Sequence, residues 1–218
     1  MTTTIAFLGP AGTFTEAAVH KFAAHMPEVE TMPVGSPSEA VAAVRAEQAE
    51  YACVAIENSV DGAVTTTFDA LVEGEPVQIY REVDIPVAFS IMTRPDAEDI
   101  KRLSTHPVAF QQIRGWVKEH LPEVEFVPAS SNAAAAEAVA RGDADAAAAP
   151  ARAAEIFGLE TIAQGVADIK GAATRFVLVG RPGKPTARTG QDRTSVIFTL
   201  PNEPGSLCLL YTSPSPRD

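Results

Sequence analysis

Short runs of apolar residues with strand character alternate along the chain with apolar residues at helical spacing, the pattern of parallel α/β layers. TIAFLG (4–9) reads as a strand, and GPAG turns it into a helix over about 14–26. Val19, Phe22, Ala23 and Met26 give that helix an apolar stripe, and Pro27 ends it. Ser36-Pro37-Ser38-Glu39 forms a capping box with proline at the first helical position. A strand over 51–56 then stops abruptly at Glu57, Asn58 and Ser59. From Val77 the texture changes to VQIYREVDIPVAFSIMT, two strand-like runs with no helical pattern between them, which predicts a crossing into a second lobe. That lobe is predicted to hold a helix over about 107–121, a strand at VEFVPA, a helix at AAAAEAVA ended by Gly142, and a strand at DAAAA. Pro150 starts a further helix that Gly158 closes, and TRFVLVG (174–180) reads as one more strand. RPGKPTARTGQDR (181–193), rich in Pro, Gly and charge, reads as a linker, after which TSVIFTLPNEPGSL begins a new unit with a strand and a Pro-Gly turn.

Composition narrows the classes. A chain of 218 residues, 46% hydrophobic and 21% charged, has the makeup of a soluble globular protein of one or two domains. A formal charge of -11 argues against nonspecific nucleic-acid binding, which needs Lys and Arg against phosphate, so attraction for an anion must be local. Cys53 lies in an apolar run far from Cys208 and reads as a buried free thiol. Four scattered histidines, with no CxxC or HExxH spacing, give no metal site. The N-terminus has no basic leader, and no stretch approaches the ~20 apolar residues of a membrane span. The expected location is the cytoplasm, with no membrane or nucleic-acid partner.

Three places repeat one device, in which a strand runs out, hydroxyl or amide residues follow, and a helix begins: GPAGTFTE (9–16), STHPVAFQQ (104–112) and SSNAAAAE (130–137). Thr13 with Glu16 makes a capping box in the first, and Ser130, Ser131 or Asn132 can cap the third. Capping alone explains each of them singly. Taken together with Glu57, Asn58 and Ser59 at the loop end of an open α/β sheet, they predict a ligand cleft. The helix starts present free N–H groups to an anion, and Arg175 supplies a cation whose fork suits a carboxylate. Among the histidines only His106 adjoins a helix start in this set and is a candidate ligand contact, whereas His20, His25 and His120 are expected in solvent.

The segments FLGPAGTFTEAA, IENSVDGAVTTTFDAL, THPVAFQQIRGWV, SSNAAAAEAV with DADAAAAPARAAEIFGL, and TRFVLVG resemble, in this order, the prephenate dehydratase family over about residues 5–180. The resemblance implies an α/β fold of two lobes around a cleft, similar to type II periplasmic binding proteins, with lobe 1 at about 1–80 plus 174–180 and lobe 2 at about 81–173. It implies decarboxylating dehydration of prephenate to phenylpyruvate, water and carbon dioxide, without a cofactor. By the same resemblance Thr174 is the essential residue, Arg175 pairs with a substrate carboxylate and Phe176 shapes the pocket. Glu57, Asn58 and Ser59 form one wall, and a buried Glu57 would be the proton donor to the leaving hydroxyl. Two departures loosen the loop contacts: Gly171-Ala172-Ala173 where the family commonly has an Asn, and His106-Pro107-Val108 where it often has His-Pro-Gln.

TSVIFTLPNEPGSL resembles the opening of a ferredoxin-like ACT domain, the phenylalanine sensor of the family, but its later motif is missing. CLLYTSPSPRD has no helical or strand period and reads as a foreign run-on at 208–218 that cuts a natural gene short, or else as a divergent tail. In the first case phenylalanine feedback through this domain is lost, and the strand at 195–200 is left with an unpaired edge. Full-length members are expected to be homo-oligomers, in part through the ACT domain. Two rival readings share the scaffold: an arogenate dehydratase, acting on the aminated substrate, and a noncatalytic anion-binding protein.

Overall fold

The computed structural model describes residues 2–95, 97, 99–196, 198 and 200–212. The chain divides into two compact units, Met1–Pro185 and Thr186–Asp218. The first unit opens with β1 (Thr3–Leu8), α1 (Phe14–Ala23), β2 (Val29–Val34), α2 (Pro37–Arg45), β3 (Tyr51–Asn58), β4 (Gly62–Ala63), α3 (Thr65–Val72) and β5 (Gln78–Pro86). It continues with β6 (Ser90–Thr93), β7 (Arg102–Thr105), α4 (Pro107–Gln112), α5 (Arg114–His120), β8 (Glu125–Pro128), α6 (Asn132–Arg141), β9 (Ala146–Ala149), α7 (Ala151–Phe157), β10 (Glu160–Gln164) and β11 (Ala173–Gly180).

These strands build two sheets, and hence two lobes. The first runs β2-β1-β3-β11-β5 with β4 added to β3, and the second runs β10-β6-β9-β7-β8. β11 returns from the second lobe and inserts antiparallel between β3 and β5. Because β5 pairs with β11 from Gln78 to Pro86, it belongs to the first lobe, and the crossing expected near Val77 falls at 87–89 instead. The two apolar runs follow closely on each other, so pattern alone does not reveal that they belong to different sheets.

Local side-chain chemistry starts α1, α2 and α6. Thr13 Oγ1 accepts from the Glu16 N–H at 3.3 Å while Glu16 Oε2 accepts from Gly12 N–H at 2.8 Å. Ser36 and Glu39 make the corresponding pair of bonds at the start of α2, and Ser131 Oγ accepts from Ala134 N–H at the start of α6. Gly142 ends α6 in the left-handed conformation (φ 88°), which costs glycine little. β9 lies between β6 and β7, and its four alanines are fully buried. They divide by strand alternation, Ala146 and Ala148 into one core and Ala147 and Ala149 into another beside α6 residues Ala135, Ala136 and Val139. Small side chains there let helices approach both faces of the strand.

The single helix expected over 107–121 is broken at Ile113 into α4 and α5. Asp168, distant in sequence, accepts from Gly115 N–H at 2.8 Å and Trp116 N–H at 3.1 Å and so caps a fresh start. A Cβ on Gly115 would lie 2.7 Å from Asp168 Oδ1, so a side chain there would push the capping carboxylate aside.

In the second unit the described residues hold α8 (Ser206–Thr212), which corrects the expectation of no helical structure past Leu207. Leu209 N–H donates to Gly205 O at 3.0 Å, so the Pro-Gly turn opens a Leu-rich helical turn although the helix buries none of its own residues. Of the strand expected at 195–200, Ile197 and Thr199 lie outside the described residues, and Ser195, Val196, Phe198 and Leu200 are not in strand conformation. Residues 213–218, with the two Ser-Pro steps, also lie outside the described residues. Among the described residues no helix is long and apolar enough to cross a membrane.

Candidate active site

The pairing of β11 with β3 sets Thr174 opposite Asn58 and Arg175 opposite Glu57. Directly opposed side chains of an antiparallel pair share a face, and successive residues alternate between faces. The motif is thereby divided in two, with Thr174 and Asn58 on one face and Arg175 and Glu57 on the other.

On the first face Thr174 is 8% exposed and its Oγ1 accepts from Asn58 Nδ2 at 3.1 Å. Asn58 Oδ1 accepts from the backbone N–H groups of Val60 (2.8 Å) and Asp61 (3.2 Å). Two backbone donors on one end of the amide assign that end as oxygen, so the end facing Thr174 is the NH2. The Thr174 hydroxyl therefore accepts from Asn58 and keeps its own O–H for another partner.

Both residues line a cavity of about 120 Å³ between the lobes. Its apolar wall comes from Phe14, Val87, Phe89, Val108 and Ala109, with Phe14 and Phe89 meeting edge to face at 5.6 Å. Its polar members besides Thr174 and Asn58 are Asp61, His106, Gln112 and Asn132. His106 Nδ1 accepts from Val108 N–H at 3.3 Å, which places the proton of the neutral imidazole on Nε2 as a donor. Asn132 Oδ1 accepts from His106 N–H at 3.3 Å, leaving its NH2 end to donate. Gln112 Nε2 donates to Asp61 Oδ2 at 3.2 Å, a bond from the second lobe to the first. Among the described residues, no Lys or Arg lines this cavity.

The other face holds Arg175 between Glu57 Oε2 at 3.2 Å and Asp84 Oδ1 at 3.3 Å. Its hydrogen bond to Asp84 pushes the guanidinium further up from its ordinary range. Ser59 binds the backbone of Ala173 in both directions at 2.9 Å, and these residues line a second cavity with Glu57, Asp84 and Arg175. Three expectations change as a result. Glu57, with its side chain 53% exposed and ion-paired, does not stand beside Thr174 as an enclosed proton donor. Arg175 and Ser59 face away from the Thr174 cavity, because strand alternation turns them there. Phe176, 2% exposed, packs in the first lobe with Ile5, Phe7 and Cys53 and lines neither cavity.

Of the remaining expected residues, His106, Asn58 and Asn132 join Thr174, whereas Thr13 and Ser131 serve as helix caps and Ser130 is exposed. Sequence reasoning passed over Asp61, Gln112, Phe14 and Phe89. Gln112 falls within the helix expected over 107–121 and Asp61 in the stretch after the strand at 51–56, and only the fold brings them together. Among the described residues no group of three or more His, Cys, Asp or Glu side chains is arranged to hold a metal ion.

A two-lobed α/β scaffold with an apolar-walled cavity and a few convergent polar groups between its lobes defines a small-molecule binding or catalytic protein. The chain belongs to the prephenate dehydratase family, whose profile matches residues 5–184. It is 55% identical over 211 residues to a prephenate dehydratase of Corynebacterium glutamicum, covering 94% of this chain and 67% of that protein. Among solved structures it resembles the prephenate dehydratase of Arthrobacter aurescens in complex with L-Phe, with a TM-score of 0.86 and 44% identity over 96% of this chain and 70% of that one. It also resembles the quorum quenching acylase GqqA, with a TM-score of 0.74 and 29% identity over 96% of this chain and 76% of that one.

Proposed function

We propose that this chain is a carbon-oxygen lyase that converts prephenate to phenylpyruvate, water and carbon dioxide, a step of phenylalanine synthesis. The observation that carries the reading is the buried Thr174 hydroxyl, held as an acceptor by Asn58 and so left with its O–H to give, on the wall of an interlobe cavity. In the reaction the bond from the ring to its carboxylate breaks and carbon dioxide leaves. The electron pair of that bond completes the aromatic ring and expels the ring hydroxyl as hydroxide, which takes up a proton to become water. Negative charge therefore develops on the leaving oxygen, and a fixed O–H donor there stabilises the transition state more than the ground state.

The other donors suit the rest of the substrate. His106 Nε2–H, the NH2 of Asn132 and the start of the ten-residue helix α6 offer hydrogen bonds to a carboxylate, and Phe14, Val87 and Phe89 offer an apolar wall to the ring. Anion recognition in this reading rests on neutral donors rather than on Arg175. Acyl transfer through Thr174 fits less well, because the bond on its oxygen comes from an amide donor and not from a base that could take its proton.

The test is phenylpyruvate formation from prephenate at neutral pH by the purified chain, beside Thr174→Ala and without added metal. Turnover by the parent and its loss in the variant are expected. A folded parent chain without turnover overturns the reading, and parallel rates on arogenate decide which of the two substrates is preferred.

A further inference from the structure

We propose that Asp61 is a positioning residue that fixes which end of the Gln112 side-chain amide faces the cavity; the proposal rests on the dehydratase reading above. Gln112 is 7% exposed at the end of α4, and its Nε2 lies 3.2 Å from Asp61 Oδ2. The two ends of a glutamine amide are nearly the same shape but opposite in hydrogen-bonding sense. A neutral partner able both to donate and to accept would tolerate either orientation. An ionised carboxylate only accepts, so it admits the NH2 end alone and turns Oε1 the other way.

Asp61 is itself held in place. Its backbone N–H donates to Asn58 Oδ1 at 3.2 Å, alongside that of Val60 at 2.8 Å, and the far end of the same Asn58 amide donates to Thr174. One line of hydrogen bonds thus runs from Gln112 in the second lobe through Asp61 and Asn58 to Thr174 in the first, and all four residues line the cavity. With one N–H on Asp61, Gln112 offers a ligand a carbonyl acceptor and its second N–H in a set orientation.

The sign of one substitution separates this role from simple charge. Asp61 is a carboxylate on the wall of a site for an anionic substrate, so D61N should lower KM for prephenate if repulsion is its main effect. If Asp61 acts through Gln112, D61N should instead lower kcat/KM, because the new amide accepts Gln112 in either orientation. The experiment measures kcat and KM for the parent, D61N, Q112A and the double variant, with thermal melts of each. The expected result is a loss in kcat/KM of roughly tenfold from D61N alone and of less than about twofold from D61N in the Q112A background. D61E, which keeps an acceptor of the same sense, should recover part of the loss.

A rise in kcat/KM in D61N, or equal losses in both backgrounds, overturns the proposal. A second measurement is independent of turnover: the 15N–1H signals of the Gln112 side-chain amide, assigned by their absence in Q112A. One of its protons should exchange slowly with water in the parent and rapidly in D61N, and unchanged exchange overturns the proposal. A parent chain that fails to turn over prephenate sinks the dehydratase reading, and the amide signals then decide on Asp61 alone.

Discussion

Asn58 Nδ2 donates to Thr174 Oγ1 across 3.1 Å while its carbonyl end holds the backbone of Val60 and Asp61. One side chain thus builds the turn after β3 and orients the hydroxyl on the adjacent strand β11. If the free O–H of Thr174 serves the leaving oxygen, Thr174→Val should lower kcat by roughly 10²–10³, the usual cost of removing one donor to developing charge, and leave KM within a few-fold. Thr174→Ser should keep most of the rate. Steady-state kinetics on prephenate decide, and a Val variant with near-parent kcat would remove the hydroxyl from the mechanism.

The direction of the Asn58 bond is tested by Asn58→Asp. The substitution preserves an acceptor for Val60 and Asp61 but sets a carboxylate oxygen, in place of an NH2, against Thr174 Oγ1. The Thr174 O–H must then donate to that carboxylate and is withdrawn from substrate. The expected outcome is a loss of kcat of roughly 10²-fold, comparable to loss of the hydroxyl itself, with a melting temperature within a few degrees of the parent. A parallel fall in melting temperature and rate would mean that the turn, rather than the hydroxyl, had been lost.

The strands bearing these residues were legible because YACVAI and TRFVLVG are apolar runs bounded by polar residues, and the caps at Thr13, Ser36 and Ser131 follow from side-chain chemistry that acts within four residues. What sequence could not supply was which side of the sheet each residue faces. Glu57, Asn58 and Ser59 read as one wall and Arg175 as the cation of the same cleft, yet the register Thr174↔Asn58 and Arg175↔Glu57 assigns them to two faces. Register is a tertiary property, and shifting it by one residue exchanges the faces. The break at Ile113 was hidden for a related reason, since the Asp168 carboxylate that caps α5 lies more than fifty positions along the chain. β2 was not among the expected strands, and it carries Pro33 at the sheet edge, where a missing N–H is tolerated.

Gly12 should tolerate no side chain without cost. It lies at φ +85°, and a Cβ there would stand 3.4 Å from Ile156 Cδ1 and 3.6 Å from Ala153 Cα, both on α7 of the second lobe. Its N–H donates to Glu16 Oε2, which also accepts from Arg152 Nε on α7 at 3.4 Å. Gly12→Ala therefore forces an L-residue into the left-handed region at a contact between lobes, at a cost of about 1–2 kcal/mol. The melting temperature should fall by several degrees. An unchanged melt would show that the turn relaxes freely.

The two thiols should separate by reactivity. Cys53 is fully buried, and burial pushes its thiol strongly up, whereas Cys208 is exposed. Because the thiolate is the reactive form, a thiol reagent at neutral pH should modify Cys208 in the native protein and Cys53 only after unfolding. Cys208→Ser should abolish the native-state reaction. A fast reaction persisting in that variant would show that Cys53 is reached through opening of the first lobe.

Asp145 should make stability depend on acid pH in a definite direction. Its Oδ1 accepts from the Arg102 guanidinium at 3.1 Å, and its Oδ2 accepts from the backbone N–H groups of Arg102 at 2.8 Å and Lys101 at 3.2 Å. The Arg102 side-chain hydrogen bond is the main cause holding this carboxyl below its ordinary range, and the backbone donors add to it. A folded-state value below the unfolded one means that the stabilisation is complete above the unfolded carboxylate value of about 4 and fades as pH falls through the folded value. At pH 7 Asp145→Asn should lower the melting temperature by roughly 2–4 °C, as for a modest stability loss in a chain of this size. Below about pH 4 the gap between parent and variant should close, because protonation removes from the parent the same charge that the substitution removes. Melts from pH 7 to 3 measure this gap directly. A gap of constant size would assign Asp145 a role in packing between β7 and β9 rather than in charge.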